Sequence, residues 1–565
     1  MSDQDKVQEE TQAAALENGA AQEGATPAPE APAETAAAPA EPAAPAEPAP
    51  VPASDPAPEP AAAAPAPEPT PEPAPATPAE AAAPAEAPAE TAPTSASAAA
   101  APEAKPAPAA PAPAVAPAAK PSEAAAPAPA PEKPPEPVTI PIEELPARRL
   151  MQLEACTRCG ECLKWCPVYD QDGREDILPR KKAADFLSII KRQHGLLAKI
   201  AGREKPGEFA QLIGNIFHYH KVTDAEIRQF VQNLYECSTC GQCQIVCPAK
   251  IDTVNLWEEI RRLMVMAGYG PLEPQKGLVK SVKSNDNPWQ QPRTARAQWA
   301  RRAAKDKLIP EAPKDLSKKK ESAKVLYYLG CTASYDANVK QVAINTVNIL
   351  NHLGVDFGIL GNKEACCGSV LLRMGDSEFE RVAAKNIEIF NSLGIETFVT
   401  SCSGCYKTIS EDYERVGELN FEILHTTQFL ERLIASGELQ FTKEVAKTVT
   451  YHDPCHLGRA AGVYDAPRNI MEAIPGLELI EMPRHRQYSR CCGAGGGLKA
   501  GFPDLQNKMS QERIKEAEGT GASELISGCP FCYQGLQVGI TALGSPLKAQ
   551  DITSLVVDAL GLGQE

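Results

Sequence analysis

Apolar residues between residues 181 and 268 recur every three or four positions. The pattern is clearest in "KKAADFLSIIKRQHGLLAKI" (181–200), "DAEIRQFVQNLYEC" (224–237) and "DTVNLWEEIRRLMVMAG" (252–268). This period places the apolar side chains on one face of a helix, so each stretch is predicted to be an amphipathic helix. The region as a whole is therefore predicted to be helical.

Beyond residue 324 the pattern changes to short apolar, β-rich runs that alternate with helical stretches. The runs are "KVLYYLG" (324–330), "ETFVTS" (396–401), "KTVTYHDP" (447–454) and "SELISG" (523–528). The helical stretches include "NVKQVAINTVNILNHLG" (338–354) and "SEFERVAAKNIEIFNSLG" (377–394). Alternating β and α units predict a parallel or mostly parallel sheet. A cysteine follows each run, where the carboxyl ends of such strands gather ligands.

Two of the cysteine groups share the spacing C-x2-C-x2-C-x3-C-P. Their cysteines are Cys156, Cys159, Cys162 and Cys166 in the first run, and Cys237, Cys240, Cys243 and Cys247 in the second. This is the bacterial ferredoxin run, in which three thiolates hold one [4Fe-4S] cubane and the fourth reaches the other. We therefore predict one cubane on Cys156, Cys159, Cys162 and Cys247, and one on Cys237, Cys240, Cys243 and Cys166.

Zinc is the alternative occupant of these two sites. Four cysteines suit its tetrahedral coordination, but zinc ribbons usually separate their C-x2-C pairs. The eight cysteines complete two cubanes, so His194, His218 and His220 are predicted to be packing or surface residues.

The remaining ten cysteines form two copies of a longer pattern. The copies are Cys331, Cys366, Cys367, Cys402 and Cys405, and Cys455, Cys491, Cys492, Cys529 and Cys532. The first cysteines of the copies lie 124 residues apart, which indicates a duplicated domain. Each copy offers five thiols, one more than a cubane requires.

The two adjacent cysteines of each copy are followed by a glycine, Gly368 or Gly493. Neighbouring side chains in a regular element point in different directions, so the backbone has to bend if both thiols are to bind one object. Gly493 and Gly495 to Gly497 permit such a bend and a close backbone approach. A nucleotide-binding G-x-G-x-x-G loop is excluded by Leu498. A vicinal disulfide would leave the other three cysteines of each copy unexplained.

The amino-terminal 137 residues have a different composition from the rest. They hold 35 of the 54 prolines, and 21 acidic residues against four lysines, so the net charge of −17 belongs to them. Such a segment has too little apolar surface to fold and is predicted to be a disordered, semi-stiff spacer. It is either a tether or a solvated tail without a specific role.

Charge and hydropathy limit where this protein is expected in the cell and which partners it is expected to bind. The remainder is formally neutral and has no basic run, which argues against nucleic-acid binding. The acidic start lacks signal-peptide features, and no apolar run is long enough to span a bilayer. We expect a cytoplasmic protein, in which eighteen cysteines indicate metal or redox chemistry.

These patterns divide the chain into five predicted parts. They are a disordered Ala/Pro/Glu-rich tail (1–137), a helical ferredoxin-type di-cluster domain (138–270), a linker (271–323), and two α/β domains with the longer cysteine pattern (324–440 and 441–565).

The pattern Cys…Cys-Cys-Gly…Cys-x2-Cys, present twice, resembles the paired CCG domains of heterodisulfide reductase. A preceding di-cluster ferredoxin domain matches the fused, D-type subunit of that family. The resemblance implies that each CCG set holds a non-cubane [4Fe-4S] cluster, with Gly368, Gly493 and Gly495 at the cluster sites, and that the two clusters face a shared disulfide-binding site. The motif "HDPCHLGR" (452–459) also recurs in the iron–sulfur subunits of glycolate and lactate oxidases.

Three hypotheses for the function follow. In the first, the ten CCG cysteines reduce a disulfide or oxidise thiols, and His452 or His456 supplies protons, unless these histidines only support the site. The cubanes then exchange electrons with a partner subunit, such as a membrane cytochrome b or a flavoprotein, that could hold the chain at the inner face of the membrane. In the second, the chain is an electron relay for a flavin-dependent hydroxy-acid dehydrogenase, whose flavin belongs to the partner. The third is a structural metal scaffold.

Overall fold

The computed structural model describes residues 138–202 and 207–563. The predicted tail lies outside the described residues. Within these residues, no helix has both the length and the apolar character needed to cross a membrane.

The amino-terminal part of the described chain is helical, as predicted. Its helices are α1 (Ala147–Glu154), α2 (Tyr169–Asp172), α3 (Pro179–His194), α4 (Leu196–Ala201), α5 (Glu208–Ile216), α6 (Asp224–Tyr235), α7 (Gln242–Ile245) and α8 (Thr253–Met266). Their apolar faces form one core, in which Phe186 and Phe230 stack with ring centroids 5.7 Å apart. The starts of α6 and α8 are capped by the side chains of Thr223 and Asp252.

The segment 271–323, for which the sequence predicted a linker, is folded over much of its length. It contains α9 (Glu273–Asn285), α10 (Gln298–Lys305) and the short strand β1 (Lys314–Asp315). Trp299, Ala300 and Ala303 recur at helical spacing and are buried. The surrounding prolines and charges obscured this short apolar face in the sequence.

The first CCG domain contains a five-stranded, wholly parallel sheet with the order β1-β3-β2-β4-β5. The further strands are β2 (Val325–Tyr328), β3 (Phe357–Ile359), β4 (Thr397–Thr400) and β5 (Glu422–His425). The helices are α11 (Cys331–Tyr335), α12 (Lys340–His352), α13 (Ser369–Met374), α14 (Glu378–Asn391), α15 (Ser403–Ser410) and α16 (Thr426–Ala435). Parallel strands joined by helices are the arrangement that the alternating pattern predicted.

The second CCG domain repeats this arrangement with a parallel sheet of order β7-β6-β8-β9. Its strands are β6 (Lys447–His452), β7 (Leu477–Leu479), β8 (Glu524–Ser527) and β9 (Lys548–Asp551). Its helices are α17 (Asp465–Ala473), α18 (Leu498–Gly501), α19 (Pro503–Glu518), α20 (Pro530–Leu543) and α21 (Ile552–Ala559). The shared strand order confirms the duplication.

The two CCG domains share one hydrophobic core. Tyr327 and Val399 of the first sheet belong to the same buried cluster as Tyr451 and Ile526 of the second. The two halves therefore form a single packed body, and their cysteines are held in a fixed relation to one another.

Candidate iron–sulfur centres

The two ferredoxin-type runs fold into loops of the same shape. Arg158 and Thr239, each immediately before the second cysteine of a run, have φ of 59° and 51°. Gly160 and Gly241, each immediately after it, have φ of 85° and 74°. These left-handed residues occur at matching positions, so both runs curl in the same way around their cysteines.

Two cavities lie beside these loops. One is lined by Cys156, Cys159, Cys162, Cys243 and Cys247, and the other by Cys166, Cys237, Cys240 and Cys243. Each cavity thus joins three cysteines of one run with the fourth cysteine of the other run. All eight thiols are free, and thiolate sulfur is the donor that [4Fe-4S] clusters require. The residues present fit two such clusters.

The CCG cysteines gather at the carboxyl ends of the two sheets. Cys331, Cys402, Cys455 and Cys529 follow β2, β4, β6 and β8 within three residues. The glycines after the cysteine pairs, Gly368 and Gly493, have φ of 84° and 78°. Their N–H groups donate to the Sγ atoms of Cys366 and Cys491 over 3.4 and 3.3 Å. Gly368 and Gly493 therefore make the bend that the sequence required.

Neighbouring thiols form a continuous chain through the molecule. Each successive pair is close enough for one thiol to shift the pKa of the next, in the order Cys240, Cys491, Cys492, Cys532, Cys529, Cys402, Cys405, Cys367, Cys366 and Cys331. Cys455 also packs against the buried cluster that contains Cys491. The chain begins in the ferredoxin domain, crosses the second CCG set and ends in the first.

Two of these contacts connect different domains. Cys402 of the first CCG set meets Cys529 of the second, which brings the two sets face to face. Cys240 of the ferredoxin domain meets Cys491. The ferredoxin domain therefore adjoins the second CCG set directly.

The glycine run after Cys492 shapes this junction. A Cβ atom on Gly496 would lie 2.5 Å from the carbonyl carbon of Ser238 and 2.6 Å from the carbonyl oxygen of Cys237. One on Gly495 would lie 3.1 Å from the Ser238 oxygen. The interpretation that the whole run bends around a cluster is therefore incomplete, because Gly495 and Gly496 let the ferredoxin backbone approach.

Two family models match the chain over these cysteines. The 4Fe-4S dicluster domain matches residues 152–251, and the cysteine-rich CCG domain matches 325–410 and 449–537. The D-type subunit of the dihydromethanophenazine:CoB–CoM heterodisulfide reductase of Methanosarcina barkeri is 39% identical over 431 residues, which are 75% of this chain and 98% of that protein. The chain belongs to this family, the D-type subunits of heterodisulfide reductase. It is an iron–sulfur protein and an oxidoreductase component.

Two other proteins similar to this chain have different descriptions. A probable iron-sulfur-binding oxidoreductase, FadF, of Bacillus subtilis is 32% identical over 73% of this chain and 59% of its own length. An EtfAB:quinone oxidoreductase of Syntrophomonas wolfei is 29% identical over 71% of this chain and 57% of its own length. The relatives are described as oxidoreductases or subunits of them, so redox partners are expected for this family member.

His452 and His456, the two candidate proton donors, have different surroundings. The Nδ1 atom of His452 accepts a hydrogen bond from Arg513 Nε over 3.1 Å, and a ring nitrogen lies within 4.8 Å of the Sγ atoms of Cys492 and Cys532. His456 Nδ1 lies 4.0 Å from Cys455 Sγ. The Nε2 atom of His456 is buried without a hydrogen-bond partner among the described residues. His452 therefore lies beside two cysteines of its set and is held by Arg513, whereas His456 contacts Cys455 alone of that set.

Three further histidines were predicted to be packing or surface residues. His194 Nε2 bonds to the backbone oxygen of Ile140 over 2.9 Å, and His218 and His220 are exposed. These are the packing and surface positions that the sequence predicted.

Thiol acidity differs systematically between the cysteines of each pair. Hydrogen bonds from Cys366 and Cys405 lower the pKa of Cys367 to about 5. In the second copy, hydrogen bonds from Cys491 and Cys532 lower the pKa of Cys492 well below the usual range. Within each adjacent pair, the second cysteine therefore has the lower pKa; in the second copy, hydrogen bonds from Cys402 and Cys532 also lower the pKa of Cys529 well below the usual range.

Sequence reasoning missed four charged residues beside the cysteines. Arg296, in the predicted linker, donates through Nη1 to Cys331 Sγ over 3.4 Å and forms a buried ion pair with Glu364. Arg459 donates through Nε to the Cys240 oxygen over 2.7 Å, and Arg261 through Nη2 to the Cys237 oxygen over 3.0 Å. Arg459 stands in the quoted motif 452–459, but nothing in the sequence shows that its partner is in another domain.

Proposed function

We propose that this chain is the subunit of a heterodisulfide reductase-like complex that reduces a disulfide, or oxidises two thiols, at its paired CCG sites. The observation that carries the proposal is the continuous chain of thiols from Cys240 to Cys331, with Cys402 and Cys529 meeting where the two CCG sets face each other. This arrangement supports a route for electrons and one substrate shared by the two CCG sets.

The proposed ligand sets follow from which cysteines share a cavity and, for Cys243, which lines both ferredoxin cavities, from its position in the second run. Cys156, Cys159, Cys162 and Cys247 would hold the outer cubane, and Cys166, Cys237, Cys240 and Cys243 the inner one. The five cysteines of each CCG copy would hold a non-cubane [4Fe-4S] cluster. When bound, such clusters supply one-electron transfer.

The stoichiometry of the reaction explains why two facing CCG sets are useful. A disulfide RS–SR′ takes up two electrons and two protons, its S–S bond breaks, and RSH and R′SH are released. The electrons come from a redox partner by way of the ferredoxin domain. Because Cys402 and Cys529 are in contact, each set of cysteines can react with one of the two sulfur atoms of the disulfide.

His452 is the better placed of the two histidines to deliver a proton. Arg513 is permanently protonated and donates to Nδ1, so the proton of the neutral imidazole is on Nε2. This places a mobile proton on the ring beside Cys492 and Cys532. We propose that His452 holds the proton for one departing thiolate.

The experiment compares a thiol response with disulfide turnover. The purified anaerobic protein should contain about sixteen irons, from four clusters of four irons each. Under oxidising conditions a small thiol should change the electron paramagnetic resonance signal of the CCG sites. Cys492→Ala and its counterpart Cys367→Ala should each abolish reduction of a disulfide by a reduced dye, because one remaining set can supply only one electron at the shared site.

The matched control is Cys159→Ala, at an exposed cysteine of the outer ferredoxin cavity. It should weaken electron entry and leave the thiol response intact. Stoichiometric zinc with little iron contradicts the proposal, as does disulfide reduction that survives in either Cys367→Ala or Cys492→Ala.

The second candidate is an electron relay for a flavin-dependent dehydrogenase. It is favoured by the relatives described as FadF and as an EtfAB:quinone oxidoreductase. In that case a flavoprotein would reduce all clusters, and no thiol or disulfide would affect any signal. The same spectroscopic measurement therefore separates the two functions.

A further inference from the structure

Arg261 joins three parts of the molecule from a fully buried position on α8. Its Nη1 donates to the backbone oxygens of Arg373, over 2.8 Å, and Gly496, over 2.9 Å. Its Nη2 donates to the oxygens of Leu234, over 2.9 Å, and Cys237, over 3.0 Å. One guanidinium thus connects the loop of a predicted cubane ligand with the glycine run of the second CCG set.

Arg459 makes the reciprocal connection from the second CCG domain. Its Nε donates to the oxygen of Cys240 in the ferredoxin domain over 2.7 Å. Its Nη1 donates to the oxygens of Ser489, over 2.7 Å, and Gln487, over 3.3 Å. Its Nη2 is buried and has no hydrogen-bond partner among the described residues. The two arginines, one from each domain, therefore hold the Cys240–Cys491 junction from both sides.

Neither arginine has a carboxylate to balance its charge. All of their acceptors are backbone oxygens, and over residues 138–202 and 207–563 no acidic side chain forms an ion pair with either one. Glu258, on the same helix as Arg261, pairs with Arg373 at 3.0 Å instead. Arginine remains protonated in proteins, so two positive charges without a carboxylate partner among the described residues lie beside the junction cysteines.

The buried cations beside the first CCG set are balanced. Arg296, which donates to Cys331 Sγ, forms an ion pair with Glu364, and both side chains are 2% exposed. Arg373 pairs with Glu258 and, at 3.3 Å, with Asp412. The duplicated sites therefore have the same cysteines but different electrostatic surroundings.

We infer that Arg261 and Arg459 raise the reduction potential of the inner ferredoxin site and the second CCG site above that of the first CCG site. Reduction adds an electron, and a nearby positive charge in a poorly screened interior stabilises the reduced form. The net charge and hydrogen bonding around a cluster set its potential. The inference rests on the proposed function, because it requires clusters on these cysteines.

The asymmetry would let the junction retain one electron until a second arrives. Cubanes deliver electrons singly, whereas a disulfide takes two. A site that holds the first electron avoids delivering it alone to the substrate. Arg459 and Arg261 are, in this view, positioning and potential-setting residues that do not touch the substrate.

The test is an equilibrium redox titration of the full-length, cluster-loaded protein, followed by electron paramagnetic resonance. The second CCG signal is identified by its loss in Cys492→Ala, and the first by its loss in Cys367→Ala. Arg459→Gln should lower the midpoint potential of the second CCG signal. Arg459→Lys keeps the charge but loses the forked hydrogen bonds, so it should retain most of the wild-type potential.

Glu364→Gln is the matched control at the other site. It removes the balancing charge beside Arg296, so it should raise the potential of the first CCG signal and leave the second unchanged. Equal shifts of the midpoint potential in Arg459→Gln and Arg459→Lys would show that packing, and not charge, sets the potential, which would overturn the inference. Unchanged midpoint potentials in fully cluster-loaded variants would overturn it as well. A second CCG set without a cluster in the wild-type protein would overturn the proposed function itself, and this inference with it.

Discussion

At the scale of single residues, the two CCG copies differ where the ferredoxin domain meets only one of them. Gly495 and Gly496 approach the backbone of Cys237 and Ser238. In the first copy the corresponding residues, counted from the cysteine pair, are Val370 and Leu371. The glycine run therefore lets the ferredoxin domain pack closely against the second CCG domain. Because only the second copy has this run, the sequence already indicates which copy the ferredoxin domain contacts.

We expect Gly496→Ala to separate the ferredoxin loop from the second CCG set. A left-handed backbone costs a non-glycine residue roughly 1–2 kcal/mol, and Gly496 has φ of 63°. The added methyl group would also collide with backbone atoms 2.5 and 2.6 Å away, which cannot move as a side chain would. The measurement is thermal unfolding together with the rate at which a reduced dye reduces the CCG signals.

The matched control for this substitution is Gly462→Ala in the same domain. Gly462 has φ of 72°, but a Cβ there would have nothing within 4 Å. It should show the backbone cost and no slowing of electron transfer. If both variants behaved alike, the close approach at Gly496 would have no role in docking.

At the scale of elements, helix starts and strand ends place the chemistry. Helix α8 begins after Asp252, whose carboxylate accepts from the N–H of Asn255 and pairs with Arg149 at 2.8 Å. The same helix carries Arg261 and lines both ferredoxin cavities through Thr253 and Trp257. The stability of this one helix therefore bears on the junction and on both cavities.

Asp252→Ala should destabilise the ferredoxin domain by about 1 kcal/mol through loss of the cap, and somewhat more through loss of the contact with Arg149. Asp252→Asn should cost less, because asparagine caps helices as well as aspartate does. The free energy of unfolding in denaturant measures both. Equal losses for the two variants would show that the cap contributes nothing.

The effect of Asp252→Ala should not change between about pH 5.5 and 8.5. Burial opposes ionisation of Asp252, but hydrogen bonds from Asn255 and Arg149 outweigh it and lower the pKa of the carboxyl. A lowered pKa means that the stabilisation is fully present above the usual value of about 4 and is lost only as the pH falls further. An effect that declined within this pH range would contradict the assignment.

At the scale of the whole molecule, three domains meet around buried polar groups. Arg261 donates to carbonyl oxygens of the ferredoxin domain and of both CCG domains. Tyr235, whose ring lies 4.6 Å from its guanidinium carbon, donates through its hydroxyl to the oxygen of Met374. The packing of the three domains, and with it the proposed path for electrons, thus depends on a few residues that donate hydrogen bonds to backbone oxygens.

We expect Arg261→Met to lower the free energy of unfolding by at least about 3 kcal/mol, because it leaves several buried oxygens without a donor. Limited proteolysis should then cut between the ferredoxin domain and the CCG domains. Arg262→Met, at the neighbouring half-buried arginine that pairs with Glu259 and donates to the Glu144 oxygen, is the control and should cost about 1 kcal/mol. Comparable losses in the two variants would show that Arg261 does not hold the domains together.

The sequence by itself determined the parts of this protein. Ligand spacing is local, so the ferredoxin runs could be recognised without knowledge of the fold, and the duplication followed from one repeated pattern. Periodicity identified the helical region and the parallel sheets, because it reports which face of each element is buried. It failed between residues 271 and 323, where the buried face of α10 comprises only three residues among many charges and prolines.

Only the tertiary structure decided how these parts are joined. The contacts of Cys240 with Cys491 and of Cys402 with Cys529 link residues more than 100 positions apart, and no local pattern encodes such a pairing. The same holds for Arg261 and Arg459, whose acceptors are backbone oxygens that every residue carries. Because every residue has a backbone carbonyl, the sequence cannot show which carbonyl an arginine will contact. The different electrostatic surroundings of the two CCG sites therefore became visible only in the folded chain.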